Sequence, residues 1–172
     1  KKSCPLCVAI TAPDRVRCDR ALKYILKHFA GPDYRPLTFT FGEQGRANIN
    51  HFLSDVSEPS LFEPTRYVVI RAIEQAKAVD LEPISKFLAR TIEGVHLLLV
   101  GAGLPNSPNF KKALDKYATA LPFEELKGAE LRRWTEREMR QGGIEGASDE
   151  LVELALSLAQ EDPEGISALI EQ

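Results

Sequence analysis

The sequence has few of the residues from which metal and redox sites are usually built. It contains three cysteines and three scattered histidines among 172 residues. Cys4 and Cys7 form a CxxC motif, but a structural zinc site needs four ligands, and no second CxxC or paired-histidine motif follows. Pro5 lies inside the motif and Cys7 opens an apolar run, unlike a redox pair at a helix start. We expect small buried side chains and no metal, with zinc or redox chemistry as the open alternative.

Long hydrophobic runs and an excess of basic charge are also missing. No apolar run approaches the roughly 18 residues of a membrane span. The basic pair at positions 1–2 is followed by neither a long enough apolar run nor a small-residue cleavage site. The formal charge of −3 gives the chain no overall basic field for nucleic acid. The absence of a membrane span and of a leader favours a cytoplasmic protein without a membrane partner, and local basic patches stay an open alternative.

The first 123 residues alternate between strand and helix patterns. Strands that are buried on both faces read as nearly continuous apolar runs, and three such runs are present: "PLCVAITA" (5–12), "RYVVIRA" (66–72) and "GVHLLLVGAG" (94–103). "PLTFTF" and "TALPF" are shorter strand patterns, and Phe39 and Phe41 in the first are expected in the core. The stretch that contains "NINHFL" (48–53) is interpreted as a polar connection that leads to "RYVVIRA". The alternation predicts an α/β domain with a parallel sheet over residues 1–123.

Residues 124–172 have no strand pattern and predict a small domain of three helices. "KGAELRRWTEREMRQGG" is expected as a helix with Trp134 turned inward and a solvated basic face, while a nucleic-acid site on that face is the alternative. "SDELVELALSLAQ" is expected as a second helix with Ser148 as its cap, and "PEGISALIEQ" starts a third. In the second helix, the predicted buried face contains Leu151, Leu154, Ala155, Leu158 and Ala159.

An α/β domain followed by a small helical lid is the layout of AAA+ modules, whose α/β domain has a RecA-type parallel sheet. In such modules a phosphate-binding loop after the first strand holds the nucleotide, so this loop indicates whether the chain could bind one. The first strand leads into "TAPDRVRCDR" (11–20), which has no glycine and no lysine to hold phosphates. Arg71 and Ala72 end the second buried strand, where acidic residues would orient Mg²⁺. The phosphate loop is therefore degenerate.

Other catalytic patterns are missing as well. There is no GxSxG and no HExxH motif, and "GAG" (101–103) lacks the rest of a dinucleotide loop. No catalytic residue and no cofactor is expected. A divergent P-loop-like or Rossmann-like nucleotide-dependent enzyme remains the alternative.

One short stretch places large apolar side chains where a turn should be polar. In "SEPSLFEPTRYVVIRA" (57–72), Leu61 and Phe62 lie between Pro59 and Pro64, directly before a buried strand. The pair either packs against the neighbouring sheet or fills a pocket on a partner protein.

These features together resemble the delta subunit of bacterial DNA polymerase III. They are the degenerate phosphate loop, "SLF" before "RYVVIRA", the "LLLVGAGLP" strand and loop, and the helix with "LRRWTERE". The resemblance implies that Leu61 and Phe62 enter a hydrophobic pocket on the sliding clamp. Members of the family often have an apolar residue such as Met where this chain has Pro59.

The resemblance also implies partners and a place in a larger assembly. The expected partners are the sliding clamp (beta subunit) and the gamma/tau and delta prime subunits of the clamp loader. The chain would help to open the clamp without catalytic activity of its own, inside a DNA-directed DNA polymerase holoenzyme, which is a nucleotidyltransferase. Family members carry a C-terminal helical collar domain, and the sequence ends about where that domain should begin. We expect a chain of the first two domains without the collar.

Overall fold

The computed structural model describes residues 4–42, 48–58 and 64–171. These residues form a five-stranded sheet with helices on both faces, followed by further helices. In chain order the elements are β1 (Cys7–Thr11), α1 (Arg15–Phe29), β2 (Leu37–Thr40), α2 (Ile49–Ser57), β3 (Arg66–Arg71), a 3-10 turn (Ile73–Gln75), α3 (Ala78–Arg90), β4 (Val95–Gly101), α4 (Pro108–Tyr117), β5 (Thr119–Pro122), α5 (Gly128–Gln141), α6 (Asp149–Leu158) and α7 (Pro163–Ile170).

The sheet is parallel throughout, in the order β2-β3-β4-β1-β5. In the register of the central strands Ile10 lies opposite Val100, and Ile70 lies opposite Leu99. Because consecutive strands are parallel, each connection has to cross back along the sheet, and the intervening helices do this. The predicted α/β fold is confirmed.

The core lies on both faces of the sheet, which explains the continuous apolar runs in β1, β3 and β4. On one face, Val68, Ile70 and Leu99 pack with residues of α2, α3 and α4. On the other face, Val69 and Leu98 pack with α1. Phe39 is buried as predicted, and its ring meets that of Phe41 edge-on at 5.0 Å between centroids.

Helix α2 was not predicted. The stretch taken as polar is a nine-residue helix. The Asn48 side chain caps it by accepting a hydrogen bond from the Asn50 backbone N–H at 2.8 Å. Ile49, Leu53 and Val56 are buried at helical spacing, so the signal was present and was masked by the polar residues between them.

Residues group into two compact units: Lys1–Pro13 with Arg17–Phe123, and Asp14–Val16 with Glu124–Gln172. In the second unit Trp134 is buried, as predicted, and packs with Leu131 and Ile166. The Ser148 hydroxyl caps α6 by accepting a hydrogen bond from the Leu151 N–H at 3.3 Å. No helix in the described ranges is long and apolar enough to span a bilayer.

The predicted buried face of α6 is wrong in part. Val152 and Ala155 are buried, whereas Leu151, Leu154 and Leu158 are exposed. Helix α6 is apolar around most of its circumference, so periodicity could not decide which side the neighbouring helices α5 and α7 cover.

Candidate functional site

The carboxyl edge of the sheet is where ligands bind in open parallel α/β sheets. Strand β1 ends at Thr11 and α1 begins at Arg15, so three residues connect them. A phosphate-binding loop needs eight residues in its motif, with glycines whose backbone N–H groups face the phosphates. The Ala12 N–H instead donates to the Gly101 carbonyl at 3.2 Å. This connection cannot wrap around a phosphate.

The end of β3 carries a cation where an AAA+ enzyme needs an anion. Arg71 Nη1 forms an ion pair with Asp19 Oδ1 on α1 at 2.5 Å. Next along the chain, Ala72 adopts a left-handed conformation with φ of 54°. That conformation directs the chain from the end of β3 into the 3-10 turn. A guanidinium at this position repels Mg²⁺ and cannot act as its ligand.

Glu74, an acidic residue in the 3-10 turn that follows β3, makes a structural contact at this edge. Its carboxylate accepts a hydrogen bond from the Ala102 N–H at 3.1 Å. A Cβ on Gly101 would collide with the same carboxylate. The "GAG" motif therefore provides a close approach between the end of β4 and the 3-10 turn.

The cysteines lie in apolar surroundings. Cys4, Cys7 and Cys18 are all buried and form no disulfide, and Cys4 and Cys7 belong to the cores on opposite faces of the sheet. Burial raises the pKa of the Cys7 thiol to about 12, and burial also raises the pKa of Cys4. The thiolate is the reactive and metal-binding form, so these environments suppress its chemistry. Among the described residues no cluster of His, Cys, Asp and Glu could hold a metal ion.

The basic face of α5 is committed in part to ion pairs. Arg132 contacts Asp149 Oδ1 at 2.8 Å, Glu136 Oε1 at 3.4 Å and the Glu153 carboxylate. Asp149 and Glu153 lie in the first turn and the middle of α6, so two of these contacts join α5 to α6, whereas Glu136 lies on α5 itself. Arg132 is therefore occupied within the protein, which favours the solvated structural face over a nucleic-acid site at this residue.

The other edge of the sheet holds the flanks of the "SLF" segment. Leu61 and Phe62 themselves lie outside the described residues, so their predicted clamp contact is untested. On the amino side, Leu53 and Val56 fix α2 in the core, and the Arg66 guanidinium donates a hydrogen bond to the carbonyl of Glu58, where α2 ends. This bond joins the residue before the segment to the first residue of β3.

The carboxyl flank of the segment is fixed to the loop before β4. The Arg66 N–H donates to the Gly94 carbonyl at 2.7 Å. Gly94 has φ of +75°, and a Cβ at this position would collide with the Pro64 carbonyl oxygen. Only glycine combines that backbone conformation with so close an approach. Residues 59–63 thus connect two ends that are both anchored to the α/β unit.

A cavity of about 500 Å³ lies beside α4 and the edge strand β5. Leu104, Phe110 and Leu114 form much of its apolar wall, and Lys111 and Asp115 also line it. The volume is in the range of ligand pockets. Sequence reasoning missed it, because the loop "GAGLP" gave no signal for a pocket. Its described lining contains no serine, cysteine or histidine that could act as a nucleophile.

Comparison with known proteins adds information on the fold. No protein-family model matches the chain, and no curated protein matches it by sequence. Among solved structures, the DNA clamp loader delta protein of Bacillus subtilis has a TM-score of 0.61 and 13% identity over 96% of this chain and 52% of its own. A DNA polymerase III gamma subunit-related protein of Thermotoga maritima has a TM-score of 0.58 and 12% identity, over 99% of this chain and 54% of its own.

The RuvB Holliday junction branch migration motor of Thermotoga maritima is similar to the same degree. Its TM-score is 0.61 and its identity 12%, over 99% of this chain and 54% of its own. The chain thus spans about half the length of these three structures. The chain has an AAA+-type α/β fold of the kind found in clamp loader subunits and in RuvB.

Proposed function

We propose that the chain is a clamp loader subunit of the delta type, which binds the sliding clamp through Leu61 and Phe62 and helps to open it for loading onto primed DNA. The observation that supports this most is at the carboxyl edge of the AAA+-type sheet, where nucleotide would bind in an active enzyme. The connection after β1 has only three residues, and Arg71 lies at the end of β3. A module of this kind contributes by binding a partner, while other subunits hydrolyse ATP.

The anchored flanks of residues 59–63 support the clamp contact. Glu58 and Pro64, the residues on either side of this connection, are held in place by contacts with Arg66 and Gly94 before any partner binds. Preorganised binding segments lose less conformational entropy on association. Two large apolar side chains in such a segment could contribute roughly 3–6 kcal/mol before the costs of association.

The remaining partners follow from the same proposal. The chain would work in the cytoplasm with the gamma/tau and delta prime subunits, and it would meet DNA mainly through the assembled loader. A divergent nucleotide-dependent enzyme is the alternative function, and the residues of the carboxyl edge favour the delta-type role over it.

The direct test of the function is whether the chain and a bacterial sliding clamp associate. We expect the purified chain to co-sediment with the clamp in analytical ultracentrifugation as a discrete complex. RuvB, which shares the fold, serves as the control. Absence of association at concentrations up to about 100 μM, where even a weak complex would form, would contradict the proposed function.

A further inference from the structure

The outer face of α6 carries a row of exposed leucines. Leu151, Leu154 and Leu158 follow one another at three- and four-residue spacing, and their exposed fractions are 40%, 53% and 64%. Val152 and Ala155 of the same helix are buried and pack with Met139 of α5. Single exposed leucines are ordinary, but a row of three on one helix is a contiguous apolar surface of the kind that binds other proteins. We call these three residues the leucine row.

The segment that carries the leucine row is acidic. Residues 141–172 contain eight acidic residues and no lysine, arginine or histidine. Arg132 neutralises Asp149 and Glu153 from α5. Glu150 is exposed and lies one helical turn before Leu154, on the side of the leucine row. The apolar surface therefore lies in negative surroundings.

The negative charge of this segment favours one kind of binding partner for the leucine row over the others. Nucleic acid and anionic lipid surfaces are repelled by acidic surroundings. A second copy of this chain would bring two acidic surfaces together, and like-charge contacts across an interface are unfavourable. A partner that is apolar along one stripe and basic on both sides of it satisfies both features. A ten-residue helix is about 15 Å long, which suits two or three turns of such a partner helix.

We propose that the leucine row of α6 is a docking surface for a basic amphipathic helix of a partner protein. The leucines pack against the apolar stripe of that helix, in the ridge-and-groove manner of helix pairs. Its lysines or arginines lie beside Glu150 and the other acidic residues of this segment. The surface is separate in sequence from Leu61 and Phe62, and the proposal does not depend on clamp binding.

A synthetic peptide provides the test without a clamp. The probe is a peptide of about 18 residues, long enough to form helix on binding, with leucines at i, i+3, i+4 and i+7 and lysines at most other positions. We expect the full chain to bind it in isothermal titration. A Leu154→Ala/Leu158→Ala variant should lose at least about tenfold in affinity. A peptide with glutamate in place of lysine should not bind.

Matched variants separate docking from non-specific attraction. Val79→Ala removes an exposed apolar side chain of α3 and should leave the affinity unchanged. Leu158→Gln, as a second and milder change in the row, should weaken binding in the same direction. Thermal melts should show that these variants are folded, since the leucines contribute little to the core.

Three results would overturn the proposal. One is equal affinity of the native chain and the Leu154→Ala/Leu158→Ala variant. Another is equally tight binding of a scrambled lysine peptide without an apolar stripe. The third is dimerisation of the chain that the same variant abolishes, because the occupant would then be a second copy.

Discussion

At the scale of single residues, Gly94 is a position where the backbone requires glycine. Its φ of +75° and its approach to the Pro64 carbonyl both exclude a Cβ. We expect Gly94→Ala to destabilise the chain by about 1–3 kcal/mol, because strained φ and a backbone collision act together. The melting temperature should fall by several degrees, since about 2–4 °C corresponds to each kcal/mol at this size.

Gly103 offers the matched control for that change. A Cβ on Gly103 meets no atom within 4 Å, and its φ is not positive. Gly103→Ala should therefore leave the melting temperature nearly unchanged. Equal melting temperatures for the two variants would show that the contact between Gly94 and Pro64 does not fix the carboxyl flank of residues 59–63.

The Cys7 thiol should make stability depend on alkaline pH. Burial raises its pKa from 9.0 to about 12 in the folded chain. Below pH 9 both the folded and the unfolded chain keep this proton, so the contribution is fully present there. Above pH 9 the unfolded chain ionises first, and the free energy of unfolding should fall by up to about 1.4 kcal/mol per pH unit until the folded thiol also ionises.

Urea unfolding between pH 8 and pH 11 measures this effect. Cys7→Ala removes the thiol and should flatten the decline relative to the native chain, although other groups titrate in both. An identical pH dependence in the two proteins would contradict a buried, neutral Cys7.

At the scale of elements, Arg132 joins α5 to α6 through the carboxylates of Asp149 and Glu153, and it also pairs with Glu136 on its own helix. Arg132→Gln should lower the melting temperature, because Asp149, Glu136 and Glu153 lose their shared cation. Arg133→Gln is the control, since the Arg133 guanidinium bonds to the Ala129 carbonyl of its own helix. The difference between the two variants should shrink at high salt, which screens exposed charges. A larger loss for Arg133→Gln would contradict this role of Arg132.

The elements show which sequence signals were sufficient. The continuous apolar runs predicted β1, β3 and β4, because strands covered on both faces leave no room for alternating polar residues. Helix α2 was missed since His51, Ser54 and Asp55 concealed a core face of only three residues. In α6, apolar residues on nearly every side left the buried face undetermined. Which side is covered depends on neighbouring helices, and no local pattern records it.

At the scale of the whole molecule, the fold could be predicted further than the site. The order of strands and helices, with the missing phosphate loop, led to an AAA+-type fold, which is confirmed. The sequence also marked Arg71 as a residue that disfavours a Mg²⁺ site, but its ion pair with Asp19 could not be predicted, since it joins residues 52 positions apart. The clamp contact of Leu61 and Phe62 stays a prediction.

The residues at the carboxyl edge of the sheet indicate whether the whole chain can bind a nucleotide. We expect no binding of Mg-ATP in isothermal titration, because the connection after β1 is too short for a phosphate and Arg71 replaces a carboxylate. An AAA+ protein with an intact phosphate loop serves as the positive control. One-to-one binding with micromolar affinity would contradict the proposed division of roles and favour the nucleotide-dependent alternative.

Replacement of Leu61 and Phe62 tests the central claim most directly. Surface plasmon resonance against an immobilised bacterial clamp compares the native chain with Leu61→Ala/Phe62→Ala, while Val79→Ala and Leu104→Ala control for loss of exposed apolar side chains elsewhere. If the pair enters a pocket on the clamp, the double variant should lose about a hundredfold or more in affinity and keep the native melting temperature. If the pair packs in the core, each truncation should cost roughly 2–5 kcal/mol of stability. A stable double variant that binds the clamp as tightly as the native chain would contradict the claim.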